Sequence, residues 1–459
     1  MLTLLRGKSR ATFKHGVHPA EAKDLTRDRG IEVLPTPQSI ALPLLQHLGA
    51  PCQPLHKPKT VVHLGEKIAD NLEAPFSAPI HASVDGTLGR PAVTTLPNGR
   101  HVPVIAITPL PEQSMEGAAL YEDHFGGNWN FDSIADYTPV EIAEAARQAG
   151  LVGLGGAAFP SHIKLARKAD RPVHTLLVNG CECEPFVTSD YRLMVESPGA
   201  VIAGALLAGR ACGATRIVVC VEDNKPEAIE RLGKNRATTA IEVLELETKY
   251  PQGGEKQLIS AVLKREVPRG AIPLAIGVLV MNVNTCAALA RAVLRGKPLT
   301  HRIVSVTGPG VVEPRNLLVP IGASYREILE ACGGLKPEAD RIVAGGPMMG
   351  FTVPGLDVPL TKGTGGITVL ASGGRHGSAE TACLRCGRCV DVCPMNLLPT
   401  RLALASRLRR FDLARSMAID NCMECGCCAF ACPAGIPLVQ LIRMGKASLR
   451  KTESAGGPR

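Results

Sequence analysis

The stretch CLRCGRCVDVCP at 383–394 recurs in kind as CMECGCCAFACP at 422–433. Cys383, Cys386, Cys389 and Cys393 stand at C-x2-C-x2-C-x3-C with Pro394 next, and Cys422, Cys425, Cys428 and Cys432 repeat the spacing before Pro433. Bacterial ferredoxins space their ligands this way, and in two-cluster ferredoxins the fourth cysteine of a run ligates the other cluster. The spacing predicts two [4Fe–4S] clusters. Cys383, Cys386, Cys389 and Cys432 would hold one, and Cys422, Cys425, Cys428 and Cys393 the other. Structural zinc and disulfides are the competing readings. Paired C-x2-C zinc units leave the third and fourth cysteines and the prolines without a purpose. Disulfides imply export, and no signal peptide is visible. Cys427 is a spare beside Cys428, and the spacing selects Cys428 as the ligand.

The rest of the chain must therefore serve an electron carrier. Its 459 residues suggest roughly three domains. Aromatic residues are only 3%, so the core is built from Ala, Val, Leu and Ile. Basic residues exceed acidic ones by 51 − 42 = 9, which favours acidic partners or an anionic membrane surface. Nucleic acid is not expected, because no stacking aromatics accompany the basic residues. The most apolar run, AIPLAIGVLVMNVNTCAALARAVL, is interrupted by Asn282 and Asn284, and AVIAGALLAGRACGATRIVVCV carries Arg210 and Arg216. Neither reaches the roughly twenty apolar residues of a span. Cys212, Cys220 and Cys332 sit in apolar settings and read as buried thiols of a reducing cytoplasm.

Residues 1–30 are polar and irregular, and 31–110 read as a small all-β unit with a tight hairpin turn at Asp85-Gly86. A linker begins near 111. Thr138, Pro139 and Glu141 open a helix that Gly150 closes. Strands at 174–178, 216–221 and 240–246 alternate with helices from Ser197 and after Lys225, which predicts a mostly parallel α/β sheet. Short strands around the helix YREILEACGG fill 301–350. A Gly- and Ser-rich linker then leads to a helical cluster unit, with a helix spanning TRLALASRLRRFDLARSMAID between the two runs.

The loop GLVGLGGAAFPSHIKL at 150–165 matches G-x-G-x-x-A at Gly153, Gly155 and Ala158. A dinucleotide fingerprint should follow a strand and open a helix, whereas this one follows a helix and meets Phe159-Pro160. An ordinary Rossmann site is disfavoured, and two readings stay open. The loop is either a helix–helix turn or a set of backbone N–H groups closing on a phosphate or flavin. Asn179, Glu182, Glu184 and Asp190 follow one strand, and Asn282, Asn284 and Thr285 follow another. The carboxyl ends of strands are where α/β sheets bind ligands.

FKHGVHPAEAKDLT, GLGGAAFP, VNGCECEPFVTSDYRLM, TKYPQGGEKQL, GGPMMGF and the doubled run, in this order, resemble the RnfC family, the peripheral subunit of the Rnf ion-translocating electron-transport complex. Residues 138–330 are more distantly similar to the flavin- and NADH-binding subunit of respiratory complex I. The resemblance implies a multidomain α/β protein: an N-terminal arm and barrel-sandwich hybrid domain at 1–125, related to biotinyl and lipoyl carriers; a Rossmann-like FMN/NADH domain at 126–298; a β-grasp domain at 299–362; a linker at 363–380; a two-cluster ferredoxin-like domain at 381–446; and a basic tail at 447–459. FSAPIHAS has no lysine at its hairpin tip, so covalent attachment is not expected there, and His81 is read as structural. The resemblance further implies noncovalent FMN, with NADH as the substrate stacked on it. Gly153, Gly155, Gly156, Lys164, Asn179 and Asn282 would contact FMN. Glu184 and Glu255 would lie by the flavin–nicotinamide stack, and Glu182 and Asp190 complete the cofactor-binding set.

The chain departs from the family pattern at Ala158 and Ser161, where Gly and Thr are usual. Relative to complex I it departs at Cys181, in place of Asp, and at Lys256, in place of Glu. As partners the resemblance implies the other subunits of a membrane complex and ferredoxin, with peripheral attachment to the cytoplasmic face of a bacterial inner membrane. A soluble cobalamin reductase and a ferredoxin-like adaptor are the rival functions. The former starts with its flavin domain, whereas the barrel-sandwich unit comes first here. Arg401, Arg407, Arg409, Arg410 and Arg415 form either a solvated face or a docking patch for anionic lipid or an acidic protein.

Overall fold

The computed structural model describes residues 11–166, 170–236, 240–373 and 379–455. Its centre is a parallel sheet with the strand order Ile241–Leu246, Arg216–Glu222, Thr175–Asn179, Val278–Asn282. Sheets covered by helices on both faces read as continuous apolar runs. Leu176, Leu177 and Val178 are fully buried accordingly, as are Val218, Val219, Cys220 and Val221. In chain order the strands lie 3-2-1-4. The order reverses beside Thr175–Asn179, where its neighbour is Val278–Asn282, and the crevice outside such a switch point is the ligand position of doubly wound sheets. The apolar helix Pro198–Cys212 is core: it packs so closely on Val283–Arg295 that a Cβ on Gly204 would lie 1.8 Å from the Cys286 carbonyl oxygen. Among the described residues no single helix is long and apolar enough to cross a membrane. The helix Pro139–Gln148 carries the expected capping box between Thr138 and Glu141.

The barrel-sandwich unit pairs a four-stranded sheet (Ile40–Pro43, His101–Pro109, Gly86–Thr95, Val61–Val62) with a three-stranded one (Gln53–Pro54, Lys67–Asp70, Ile80–His81). The hairpin expected at Asp85-Gly86 is not there. Asp85 is buried, its carboxylate accepts from the Leu64 and Ser114 N–H groups (2.9 and 2.6 Å), and the chain crosses between sheets at this point. The tight turn lies at 96–100 instead, with Gly99 at φ +79°. His81 is buried, and burial lowers its pKa to about 3.

A six-stranded β-grasp sheet runs Ile31–Val33, Arg315–Pro320, His301–Thr307, Gly366–Ala371, Ala339–Ala344, Phe351–Thr352. It corrects two of the expected boundaries. Residues 366–371 belong to a central strand of this sheet, not to the linker expected at 363–380. The flanking glycines mimic a linker, but ITVLA is a β-branched apolar run. The strand Ile31–Val33, expected within the first domain, pairs in parallel with Arg315–Pro320. In the cluster unit the expected single helix divides into Pro399–Arg407 and Phe411–Ser416, with Arg409 at φ +54° between them. The tail expected from 447 continues the helix Leu438–Ala455, because Leu438, Ile442 and Leu449 keep one buried stripe; residues 456–459 lie outside the described residues.

Candidate flavin and iron–sulfur sites

At the switch point the glycine loop closes on itself. Gly153 N–H donates to the Phe159 carbonyl (2.8 Å) and Ala158 N–H to the Gly153 carbonyl (3.1 Å). Leu154 N–H donates to Thr285 Oγ1 (2.9 Å), which ties the loop to the start of the helix Val283–Arg295. Gly155 lies over Asn282, where a Cβ would stand 3.2 Å from that side chain's Cβ. Gly156 has φ +105° and open space where a Cβ would be. The N–H groups of Gly155, Gly156 and Ala157 have no acceptor among the described residues. Ala158 takes φ +49°, the left-handed region its family's glycine would enter without strain. Three unbonded N–H donors on exposed residues at the carboxyl end of a parallel sheet fit an anionic, phosphate-bearing ligand.

Other predicted residues surround this cleft. Lys164 Nζ donates to Glu255 Oε1 (3.2 Å) and to the Val280 carbonyl (3.3 Å). Asn179 Nδ2 donates to the Gly253 carbonyl (2.8 Å), and its Oδ1 accepts from Cys181 N–H (3.0 Å). Asn282 is paired with Asn179 across the strands. Its Nδ2 donates to Asp190 Oδ2 (2.6 Å), and Asn284 Nδ2 donates to Asp190 Oδ1 (2.6 Å). Asp190 is thus a half-buried buttress behind the asparagines. Burial and the nearby Glu182 push its pKa up to about 7.

Two predicted carboxylates are engaged elsewhere. Glu182 accepts from Ser189 Oγ (3.1 Å), Asp190 N–H (2.8 Å) and Tyr191 N–H (3.1 Å), so it caps the helix Ser189–Glu196. Glu184 accepts from Met348 and Met349 N–H (3.0 and 2.8 Å) in the GGPMMGF loop, and burial raises its pKa.

The two cysteine runs share one backbone. Arg385 and Gly387 have φ +53° and +79°; Glu424 and Gly426 have +61° and +82°. In both, the N–H two residues on approaches the first thiol, Arg385 to Cys383 and Glu424 to Cys422, each at 3.4 Å. Leu397 N–H approaches Cys393 Sγ at the same distance. One cavity is lined by Cys393, Cys422, Cys425, Cys427 and Cys428 together with Leu397, Val439 and Ile442. The fourth cysteine of the first run thus meets the first three of the second. Cys432 in turn packs against the apolar cluster that holds Cys389. Among the described residues no three His, Cys, Asp or Glu side chains converge on a single-ion site. A tetranuclear cluster is a larger body that needs its thiolates further apart, and the cysteine-lined cavity offers a donor set of that kind.

The two sites meet. Tyr250 Oη donates to the Cys425 carbonyl (2.7 Å) and lies 3.5 Å from Glu184 Oε1. Cys427 is fully buried in an apolar cluster with Tyr250, Cys183, Met348 and Met423, so the spare thiol is packing between domains. Sequence reasoning missed Tyr250 and Arg302. Arg302 is buried, and its guanidinium donates to the Leu154 carbonyl at 3.1 Å from beneath the glycine loop. Its one signal was a charge inside the fully buried strand His301–Thr307.

Four family models match: the RnfC barrel sandwich hybrid domain at 11–110, the Nuo51 FMN-binding domain at 146–291, the SLBB domain at 303–352 and the 4Fe-4S dicluster domain at 382–436. The chain is 39% identical over 394 residues to a subunit of the proton-translocating ferredoxin:NAD(+) oxidoreductase complex of Clostridium ljungdahlii, covering 86% of this chain and 84% of that protein. It is 38% identical over 446 residues to the corresponding subunit of the Na(+)-translocating complex of Acetobacterium woodii, covering 95% and 97%. It is 40% identical over 458 residues to that of the ion-translocating oxidoreductase complex of Rhodobacter capsulatus, covering 98% and 86%. A chain of an NAD+-reducing [NiFe]-hydrogenase in the H2-reduced state shares the fold, with a TM-score of 0.50 at 21% identity over 75% of this chain and 71% of that one. The chain, with its FMN-binding and dicluster domains in the order the motifs implied, belongs to the RnfC family, whose members are subunits of ion-translocating ferredoxin:NAD(+) oxidoreductase complexes.

Proposed function

We propose that this chain is the nicotinamide-facing subunit of a membrane complex that couples electron transfer between NADH and ferredoxin to ion translocation. The observation that carries this reading is the buried contact of the segment 250–254, which also bonds Asn179 of the flavin-type cleft, with the cysteine-lined cavity, through Tyr250 and the Cys425 carbonyl. FMN, when bound, exchanges two electrons with a nicotinamide and single electrons with a cluster. The N–H groups of Gly155, Gly156 and Ala157 would bind its phosphate, with Gly153 shaping the turn and Lys164 adding a positive charge. Asn179 and Asn282 would orient the flavin from the strand ends, and Asp190 holds Asn282 in position. Glu255, half exposed and paired with Lys164, would face the nicotinamide side.

Cys422, Cys425, Cys428 and Cys393 would hold the inner cluster. Cys383, Cys386, Cys389 and Cys432 would hold an outer one, since Cys383 and Cys386 are exposed. Attachment is read as peripheral, on the cytoplasmic face. The test is to purify the chain and count its cofactors. One FMN and iron for two tetranuclear clusters, with NADH–ferricyanide activity, is the expected result. Iron without FMN would leave only an electron-transfer adaptor.

A further inference from the structure

The two cysteine runs have one backbone but opposite surroundings. In the second run each residue between the first three thiols is covered. The Met423 methyl lies 2.7 Å from where a Cβ on Gly254 would stand. Glu424 pairs with Arg443 (3.1 Å) and Lys446 (2.6 Å). A Cβ on Gly426 would lie 2.6 Å from the Met348 carbonyl oxygen, and Cys427 is buried. The equivalents in the first run are Leu384, Arg385, Gly387 and Arg388. Leu384 is 66% exposed, Arg385 and Arg388 are exposed, and no atom lies within 4 Å of a Cβ placed on Gly387. Cys383 and Cys386 are exposed with them.

The helix Pro399–Arg407 runs alongside, fixed by the pair Arg407–Glu380 (2.6 Å), and extends the face with exposed Arg401, Leu404 and Leu408. Residues 379–410 carry six Arg and two acids, so 6 − 2 = 4 of the chain's net +9 sits on this short segment.

We propose that this bare face docks an acidic redox subunit of the membrane complex, in the way the second run docks the flavin and β-grasp units; the proposal rests on the functional reading above. The chemistry of the occupant follows from the equivalences. Leu384 stands where Met423 enters an apolar seat, so the partner offers an apolar centre. Arg385 stands where Glu424 meets two cations, so the partner offers carboxylates around that centre. A bilayer would also accept arginines and leucines. It would, however, wrap two exposed ligand thiols in an insulating phase in which nothing takes or gives an electron. Each encounter moves one electron between the outer cluster and the partner's own centre, one gaining what the other loses, and no bond is made or broken.

The test uses the full chain with native membranes carrying the remaining subunits. Arg385→Glu/Arg388→Glu and, further from the thiols, Leu404→Glu should keep FMN, iron, both cluster EPR signals and NADH–ferricyanide activity. Electron delivery to the membrane partners should fall at least roughly tenfold in the charge variant. The wild-type rate should drop with added salt and the charge variant's rate should not. Wild-type delivery by both variants would overturn the proposal. So would binding to protein-free phosphatidylglycerol vesicles that the arginine changes abolish while delivery stays intact, since the face would then be a lipid surface. A wild-type chain that lacks FMN or delivers no electrons would instead sink the functional reading itself.

Discussion

Tyr250 ties the second cysteine run to the segment beside the proposed flavin cleft. It is 1% exposed, and its bond to the Cys425 carbonyl satisfies a buried acceptor next to a proposed ligand. Tyr250→Phe keeps the ring and orphans that carbonyl, at a cost of about 1–3 kcal/mol. The expected result is a second-run cluster that loses iron faster and has an altered EPR signal, with FMN content unchanged; identical iron retention and spectra would show the hydroxyl to be dispensable. Ala158 tests the opposite sign. At φ +49° its Cβ is strained, so Ala158→Gly should stabilise the loop by about 1 kcal/mol. Thermal unfolding should shift upward, and a downward shift would mean that the Cβ's packing outweighs the strain. Asp190 gives a pH signature. Its pKa rises from 3.8 to about 7 on folding, through burial first and then Glu182. The folded chain therefore holds this proton more tightly than the unfolded chain. The stability it contributes is present below about pH 4 and is lost as pH rises through about 7. Urea midpoints of the flavin-free chain should fall across that window, and Asp190→Asn should flatten the decline. An unchanged slope would put the pH dependence elsewhere.

The glycine loop is the element on which cofactor loading turns. No atom lies within 4 Å of a Cβ placed on Gly156, so the only opposition to a side chain there is its φ of +105°. Gly156→Asp should therefore strain this exposed loop alone, leave both clusters intact, and set a carboxylate against the expected phosphate. Purified protein should contain iron and no FMN, and retained FMN would exclude this loop as the phosphate site. That loop was legible in the sequence because consecutive glycines and strand-end asparagines are local signals. The cysteine runs were legible for the same reason: spacing groups Cys393 with Cys422, Cys425 and Cys428, and one cavity is lined by these four and by Cys427. Non-local partners were not legible. Glu182 reads as a free acid after a strand until the helix Ser189–Glu196 is seen to begin on its carboxylate. The same holds for Glu184 and the Met348–Met349 backbone, and for the strand Ile31–Val33, whose partner Asn316 lies in another expected domain. Gly366–Ala371 was hidden by its flanking glycines, since composition cannot distinguish a linker from the turns that bound a strand.

Two otherwise equivalent runs in unequal surroundings give the chain a direction. The second run is enclosed by Tyr250, Met348 and Val17 against the flavin and β-grasp units, and the first is bare. Spacing could not reveal this, because the runs are alike in sequence and backbone. The consequence is an order of reduction that differs between two variants. With Cys383→Ser the outer cluster should be damaged, while NADH still reduces the inner one and NADH–ferricyanide activity persists. With Cys425→Ser the inner cluster should be damaged, and the outer cluster, though assembled and reducible by dithionite, should no longer be reduced by NADH at the wild-type rate. Cross-ligation adds a further constraint. Cys432→Ser, although it lies in the second run, should resemble Cys383→Ser, because it packs against the apolar cluster that holds Cys389. Rapid-freeze EPR after mixing with NADH reads all three cases. An outer cluster reduced at full speed in Cys425→Ser would show that electrons reach it without passing the Tyr250 contact, and the buried junction between flavin cleft and four-thiol cavity would then be structural only.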